Sequence, residues 1–223
     1  MRKLLLGIGA VALLAIGGFA GVVAVRPSTL ATERSVTVAA KPSDVYPYAN
    51  DFDGWMKWNP WKDLDPDQKV TFSEPRSGVG AWYEWQGNDT VGRGKMTIRE
   101  TTPDSRVVWD LAFIEPFASN ATVTMLITAE GDGSRVTWAF TSEQDFAGRA
   151  FGLLFDMESM LGKDFEKGLA RLAPMVEADA EVRRRVEAEA AEVAASAAAE
   201  APLAAEVPAV DGHAVGEHAP HGH

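Results

Sequence analysis

The sequence predicts an α+β domain in which one long C-terminal helix covers a curved antiparallel sheet of about seven strands, behind an N-terminal transmembrane helix. Three observations carry this. Leu4 to Val25 holds no charge, amide or hydroxyl. From Thr32 onward, apolar and polar side chains alternate with period two in a series of short runs. From Phe146 to Leu172 the apolar spacing changes to i, i+3, i+4, the period of a helix with one buried face.

The N-terminal run is 22 residues long. As a helix it measures roughly 33 Å, enough for a hydrocarbon core of about 30 Å. Gly18-Phe19-Ala20 and Val22-Val23-Ala24 resemble signal-peptide cleavage sites, but such peptides have shorter apolar regions, so the length favours an uncleaved anchor. Arg2 and Lys3 precede the run and Arg26 follows it. That bias favours a single pass through the cytoplasmic membrane, with the domain facing the periplasm or cell exterior.

In the body, Val36 and Val38 mark a first strand. Ser43 or Asp44 is placed to cap a short helix that Pro47 limits or kinks. Asp51 to Asp67 reads as a loop or short helix carrying Trp55, Trp58 and Trp61. Six strands follow, marked by Val70 and Phe72; by Val79, Ala81, Tyr83 and Trp85; by Met96 and Ile98; by Val107, Trp109, Leu111 and Phe113; by Ala121 to Ile127; and by Val136, Trp138 and Phe140. Ser77-Gly78, Gly87-Asn88-Asp89, Pro103-Asp104 and Gly131-Asp132-Gly133 supply turns. Connections this short make an antiparallel meander. Its apolar face needs a cover, which the helix of Phe151, Leu154, Leu161, Phe165, Leu169 and Leu172 provides. The expected divisions are an anchor over 1–31, a domain over 32–173, and an Ala/Glu-rich tail over 174–223. Ala173 to Glu192 is read as able to continue the helix with a kink or break at Pro174, and the tail, disordered from Ala190, ends in all four His of the chain.

Three stretches carry a family resemblance: Asn50-Asp51-Phe52 to Trp58-Asn59-Pro60-Trp61; Gly78-Val79-Gly80-Ala81 to Trp85 with Gly92 to Ile98; and Met157 to Leu172, particularly Gly162 to Leu169. Here the chain resembles the SRPBCC superfamily, also called START-like or helix-grip. Within it, the chain looks most like bacterial proteins described as polyketide cyclase/dehydrase and lipid transport. The resemblance implies a helix-grip fold with a cavity between sheet and helix. It implies no shared reaction.

Composition narrows the chemistry. The formal charge is −11, with 15 basic against 22 acidic residues in the body, which argues against a nucleic-acid surface. There is no Cys, and every His lies in the last eleven residues. Disulfides, thiolate zinc sites and most nucleophile–base pairs are therefore excluded from the body. No metal site or cofactor is expected. Asp63, Asp65 and Asp67 lack the glycine and distal Glu of a calcium loop and read as surface charge. Gly92 and Gly94 precede a strand, so they read as a bend or bulge and not as a phosphate loop.

The candidate ligand-binding residues are Trp55, Trp58, Tyr83, Trp85, Trp109, Trp138 and Glu158. The tryptophans serve either as core or as a cavity lining, since both need large apolar rings. Glu158 falls near the centre of the predicted apolar helix face. There a carboxylate needs a salt-bridge partner, such as Arg93, Lys95 or Arg99, or a wet cavity. The preferred reading is a membrane-tethered domain that binds an apolar small molecule or lipid without catalysis. One alternative is an aromatic polyketide cyclase or dehydrase, with Glu158 and Tyr83 moving protons. Another is an envelope module that regulates a protein partner.

Overall fold

The computed structural model describes the backbone of residues 2–200 and the side chains of residues 9 and 13–199. In chain order the elements are α1 (Arg2–Ala24), β1 (Thr29–Val38), α2 (Pro42–Val45), α3 (Pro47–Asn50), α4 (Phe52–Trp58), β2 (Lys69–Phe72), β3 (Trp82–Gln86), β4 (Arg93–Thr102), β5 (Arg106–Glu115), β6 (Ser119–Glu130), β7 (Gly133–Glu143), α5 (Phe146–Phe151) and α6 (Met157–Glu200). The strands form one seven-stranded sheet in the order β1-β7-β6-β5-β4-β3-β2, with every pair antiparallel. The six-strand meander is thus as expected, and β1 is added along β7.

Several local expectations change. β1 is ten residues long, because Thr29 to Val38 all find partners on β7. β3 starts only at Trp82: Gly78 and Gly80 take positive φ, and Val79 between them is exposed. Neither Ser43 nor Asp44 is the cap of α2; Lys41 is, and its N–H donates to Asp44 Oδ2 at 3.1 Å. Pro47 divides α2 from α3 as expected, and Asp51 caps α4 by accepting from the Asp53 N–H at 2.7 Å. At the start of β4 the register shifts between Arg93 and Gly94. A Cβ on Gly94 would run into the Trp85 ring, so this glycine lets the indole lie against the strand.

The expected single helix over 146–172 is two. Asp145 caps α5 through the Gly148 N–H at 2.8 Å, and Asp156 restarts the chain as α6 by accepting from the Ser159 N–H at 3.1 Å. Phe151, Leu154 and Phe155 fall before that restart and are exposed, so the buried stripe begins at Leu161 and runs through Phe165, Leu169 and Leu172. It also continues past Pro174, which sits inside α6 without ending it. Val176 and Ala180 are fully buried, and Glu177 accepts from the Ala39 N–H at 2.8 Å. The buried face of α6 therefore extends past residue 173. Residues 201–223, with the four His, lie outside the described residues.

Among the described residues no helix is long and apolar enough to cross a membrane. The expected span Leu4–Val25 falls in part on residues whose side chains are outside the description. Of those described in α1, Leu13, Leu14, Ile16, Phe19 and Val22 are exposed and Val23 is buried. The Arg149 guanidinium of α5 donates to the Ala24 carbonyl at 3.3 Å.

Gly168 sets how closely α6 approaches the sheet. A Cβ there would stand 2.8 Å from Trp138 Cζ3 and 3.3 Å from Pro60. Gly168→Val is expected to lower stability by about 1–3 kcal/mol, the usual cost of overpacking, despite valine's better helix propensity. Urea unfolding measures this, and an unchanged midpoint would mean that α6 does not rest on Trp138.

Candidate functional site

Alternation turns one face of every strand toward the side of the sheet on which α6 and the short helices lie, and the bulkiest of those side chains are aromatic. Trp138 on β7 stacks flat on Phe165 of α6, with ring centroids 3.8 Å apart and planes 2° from parallel. Trp55 and Trp58 of α4 meet Trp138 edge to face at 5.5 and 4.9 Å, and Trp61 adds a third such contact at 5.7 Å. Arrangements of this kind are worth about 0.5–1.5 kcal/mol each beyond area burial. Polar bonds fix the loop that carries them. The Trp58 indole donates to the Tyr48 carbonyl at 3.0 Å, and the Trp61 indole donates to Asp164 Oδ2 on α6 at 3.0 Å. Arg171 of α6 bonds both the Asn59 carbonyl and Asp63.

Beside this cluster a cavity of about 340 Å³ lies between α6 and the sheet. It falls within the range of small-molecule sites, about 300–1,000 Å³. The cavity is partly open to solvent, so water or a ligand can occupy it.

Of the candidate residues, Trp55, Tyr83, Trp85 and Trp138 form cavity wall. Trp58 and Trp109 do not: both are fully buried behind it. Glu158 is placed elsewhere. It sits exposed in the first turn of α6, outside the cavity lining and with no salt bridge among the described residues, because the helix starts at Met157 and the predicted face through Phe151 and Leu154 does not exist. Arg93 and Arg99 instead pair with Glu115 and Asp110, and the Lys95 ammonium lies over the Trp82 ring.

Trp61 also lines the cavity, and so do Gln68, Met96 and Phe113, which are not among the candidate residues. Met96 and Phe113 were visible as inward strand positions; Gln68 lies in a loop and carried no signal. Asp65 is also not surface charge. It is buried and accepts from the Asn88 N–H at 2.6 Å, tying the loop before β2 to the β3–β4 turn at the cavity edge.

The wall is electrically bare. Among the described residues none of its side chains is Asp, Glu, Lys, Arg or His; its polar groups belong to Tyr83, Asn59, Gln68, Thr90 and the tryptophan indoles. Burial pushes the Tyr83 hydroxyl above its ordinary pKa of 10.0, and the Trp55 indole opposes this. The Trp55 N–H nevertheless lies outside hydrogen-bond geometry, and the indole N–H groups of Trp55, Trp109 and Trp138 are buried without a partner. Each such donor costs about 1–3 kcal/mol. Among the described residues no three His, Asp or Glu come together as a metal site.

Residues 29–177 match the family described as polyketide cyclase / dehydrase and lipid transport. Similar solved structures include protein CV1439 from Chromobacterium violaceum, 18% identical, covering 68% of this chain and 99% of that one, with a TM-score of 0.48. The Aha1 dimer from Colwellia psychrerythraea is 15% identical, with 66% and 96% covered and a TM-score of 0.48. CalU16 from Micromonospora echinospora is 14% identical, with 66% and 82% covered and a TM-score of 0.45. No curated relative matches the chain.

Two outcomes follow from these placements. Glu158→Gln is expected to move stability by no more than about 0.5 kcal/mol, as for an exposed side chain; a larger loss in thermal unfolding would return it to the core. Tyr83 stays protonated in the folded protein where the unfolded chain ionises. The folded state then binds more protons, so stability falls as pH rises above about 10. Tyr83→Phe should flatten that alkaline fall in urea titrations. An identical slope in both proteins would place the hydroxyl in solvent.

Proposed function

Since the chain belongs to the polyketide cyclase/dehydrase and lipid transport family, we propose that it binds an uncharged, largely apolar small molecule or lipid in the sheet–helix cavity and performs no chemistry on it. One observation carries the reading: the wall is aromatic and aliphatic, and its one titratable group, Tyr83, is held in the protonated form. A charged ligand would lose its hydration against this wall with nothing to pair it. A ligand with a carbonyl or ether oxygen would find the Tyr83 O–H, with the unpaired Trp55 N–H beside it.

The cyclase or dehydrase reading has some support in the family's description. It needs a base as well as an acid, because proton abstraction and proton donation are separate steps. The wall offers a donor in Tyr83 and no carboxylate or amine to receive a proton. Binding therefore fits these side chains better.

The tether and location belong to the same proposal. The unbroken apolar run Leu4–Val25 supports a single membrane pass, and Arg2 with Lys3 before it supports a domain held outside the cytoplasm. A reporter active only in the periplasm, fused after His223, should then be active.

The test is a solvent extract of the purified full chain, examined by mass spectrometry. A neutral lipophilic compound carrying an acceptor oxygen is expected. Tyr83→Phe should keep the fold and weaken retention of that compound roughly 2- to 10-fold, the worth of one neutral hydrogen bond. An empty wild-type cavity, an ionic ligand, or turnover of an added polyketone would each overturn the reading.

A further inference from the structure

We propose that the end of the sheet carrying α5 and the β5–β6 turn lies in the surface of a lipid bilayer, so that ligand passes between lipid and cavity without crossing water. This rests on the membrane tether proposed above and adds to it a docking surface.

Strand register brings the relevant pieces to one end of the sheet. Thr29, the first residue of β1, pairs with Glu143, the last of β7, so the chain leaving α1 and the chain entering α5 emerge together. Phe113 pairs with Ser119, and the Ser142 hydroxyl donates to the Asn120 carbonyl at 2.8 Å, which puts the β5–β6 turn at the same end. α1 reaches α5 there, through Arg149 and the Ala24 carbonyl. If α1 crosses the bilayer, its last turn marks the membrane surface, and α5 stands at that depth.

The side chains presented at that end suit a lipid interface. Phe117, at the β5–β6 turn, is 79% exposed, and Leu154, after α5, is 76% exposed. Phe151 and Phe155 stack at 4.3 Å and are also exposed, as is Phe146. Exposed Phe and Leu concentrated on one face are the composition of segments that lie in the headgroup–acyl boundary. Nearby acids are partly committed to backbone: Asp145 to the Gly148 N–H and Asp156 to the Ser159 N–H. The cavity wall comes to the same end. Met157 belongs to it and follows Phe155 by two residues; Phe113 of β5 and Val91 of the β3–β4 turn belong to it too.

A bilayer is favoured over a second copy because α1 fixes which surface this end meets. The chain has no Cys, so single labels can be placed cleanly. Leu154→Cys, Leu13→Cys and Asp132→Cys would each carry an environment-sensitive fluorophore on the full chain. Asp132 lies in the turn at the far end of β7, roughly 35 Å away by strand rise. The proteins are placed in nanodiscs of phosphatidylcholine and phosphatidylglycerol, with and without brominated acyl chains. The expected result is strong quenching by bromolipid at residues 13 and 154 and none at 132, with aqueous iodide quenching only 132. Quenching at 13 but not at 154 would overturn the docking surface while leaving the tether. Absence of quenching at both would overturn the tether and the surface together. A label at 154 shielded from iodide yet untouched by bromolipid would mean that protein covers this face, which also overturns the proposal. Wild-type thermal transitions in all three variants guard against misfolding.

Discussion

One helix is too narrow for the sheet it covers. Seven strands at about 4.8 Å spacing span roughly 29 Å, while a helix with its side chains is about 10–12 Å wide. α6 lies toward one side of the sheet. Phe165 stacks on Trp138 of β7, and Glu166 takes the Arg34 guanidinium of β1 at 2.7 Å. Gly162 leaves room for that arginine, and Gly168 leaves room for Trp138. The opposite side, over β3, β4 and β5, remains uncovered by α6. The short helices and their tryptophans fill part of the difference. What they leave is the cavity, bounded there by Tyr83, Trp85, Met96 and Phe113.

The filling is aromatic because only large rings reach across such a gap from a loop. Their arrangement has a cost in unpaired indole N–H groups, which a wholly aliphatic core would avoid. The same choice leaves a wall that accepts flat, apolar molecules and offers them only a few hydrogen-bonding groups. Discrimination among ligands would then rest on shape and on where one acceptor oxygen sits, not on charge.

Much of this was legible in sequence, for identifiable reasons. Period-two alternation located every strand after β1, and the change of period located α6. Which tryptophans would be wall and which would be core was not legible. Trp109 and Trp138 point to the same face of the sheet but sit at different levels along it, Trp109 level with Val123 and Phe140 and Trp138 level with Met125 and Val107. The error at Glu158 has a different origin. Helical spacing runs on through Gly152 and Asp156, although Asp156 with Glu158 in the turn after it is itself a helix-start signal. Pro174 signals a kink or break because proline removes an intrahelical hydrogen bond. Tertiary anchoring through Glu177 and the burial of Val176 and Ala180 carry the helix past it. Gln68 and the buried Asp65 belong to an irregular loop, where no period exists to read.

Gly94 has a consequence for how such a protein can diversify. Its missing side chain is what allows the Trp85 indole to lie back against β4. A substituent at residue 94 would meet both that ring and the Ala112 carbonyl of β5, the latter at 2.7 Å, so it would press on the cavity wall and on the neighbouring strand together. The shape of the site therefore depends on a position outside its lining. Relatives with the same wall residues need not accept ligands of the same size.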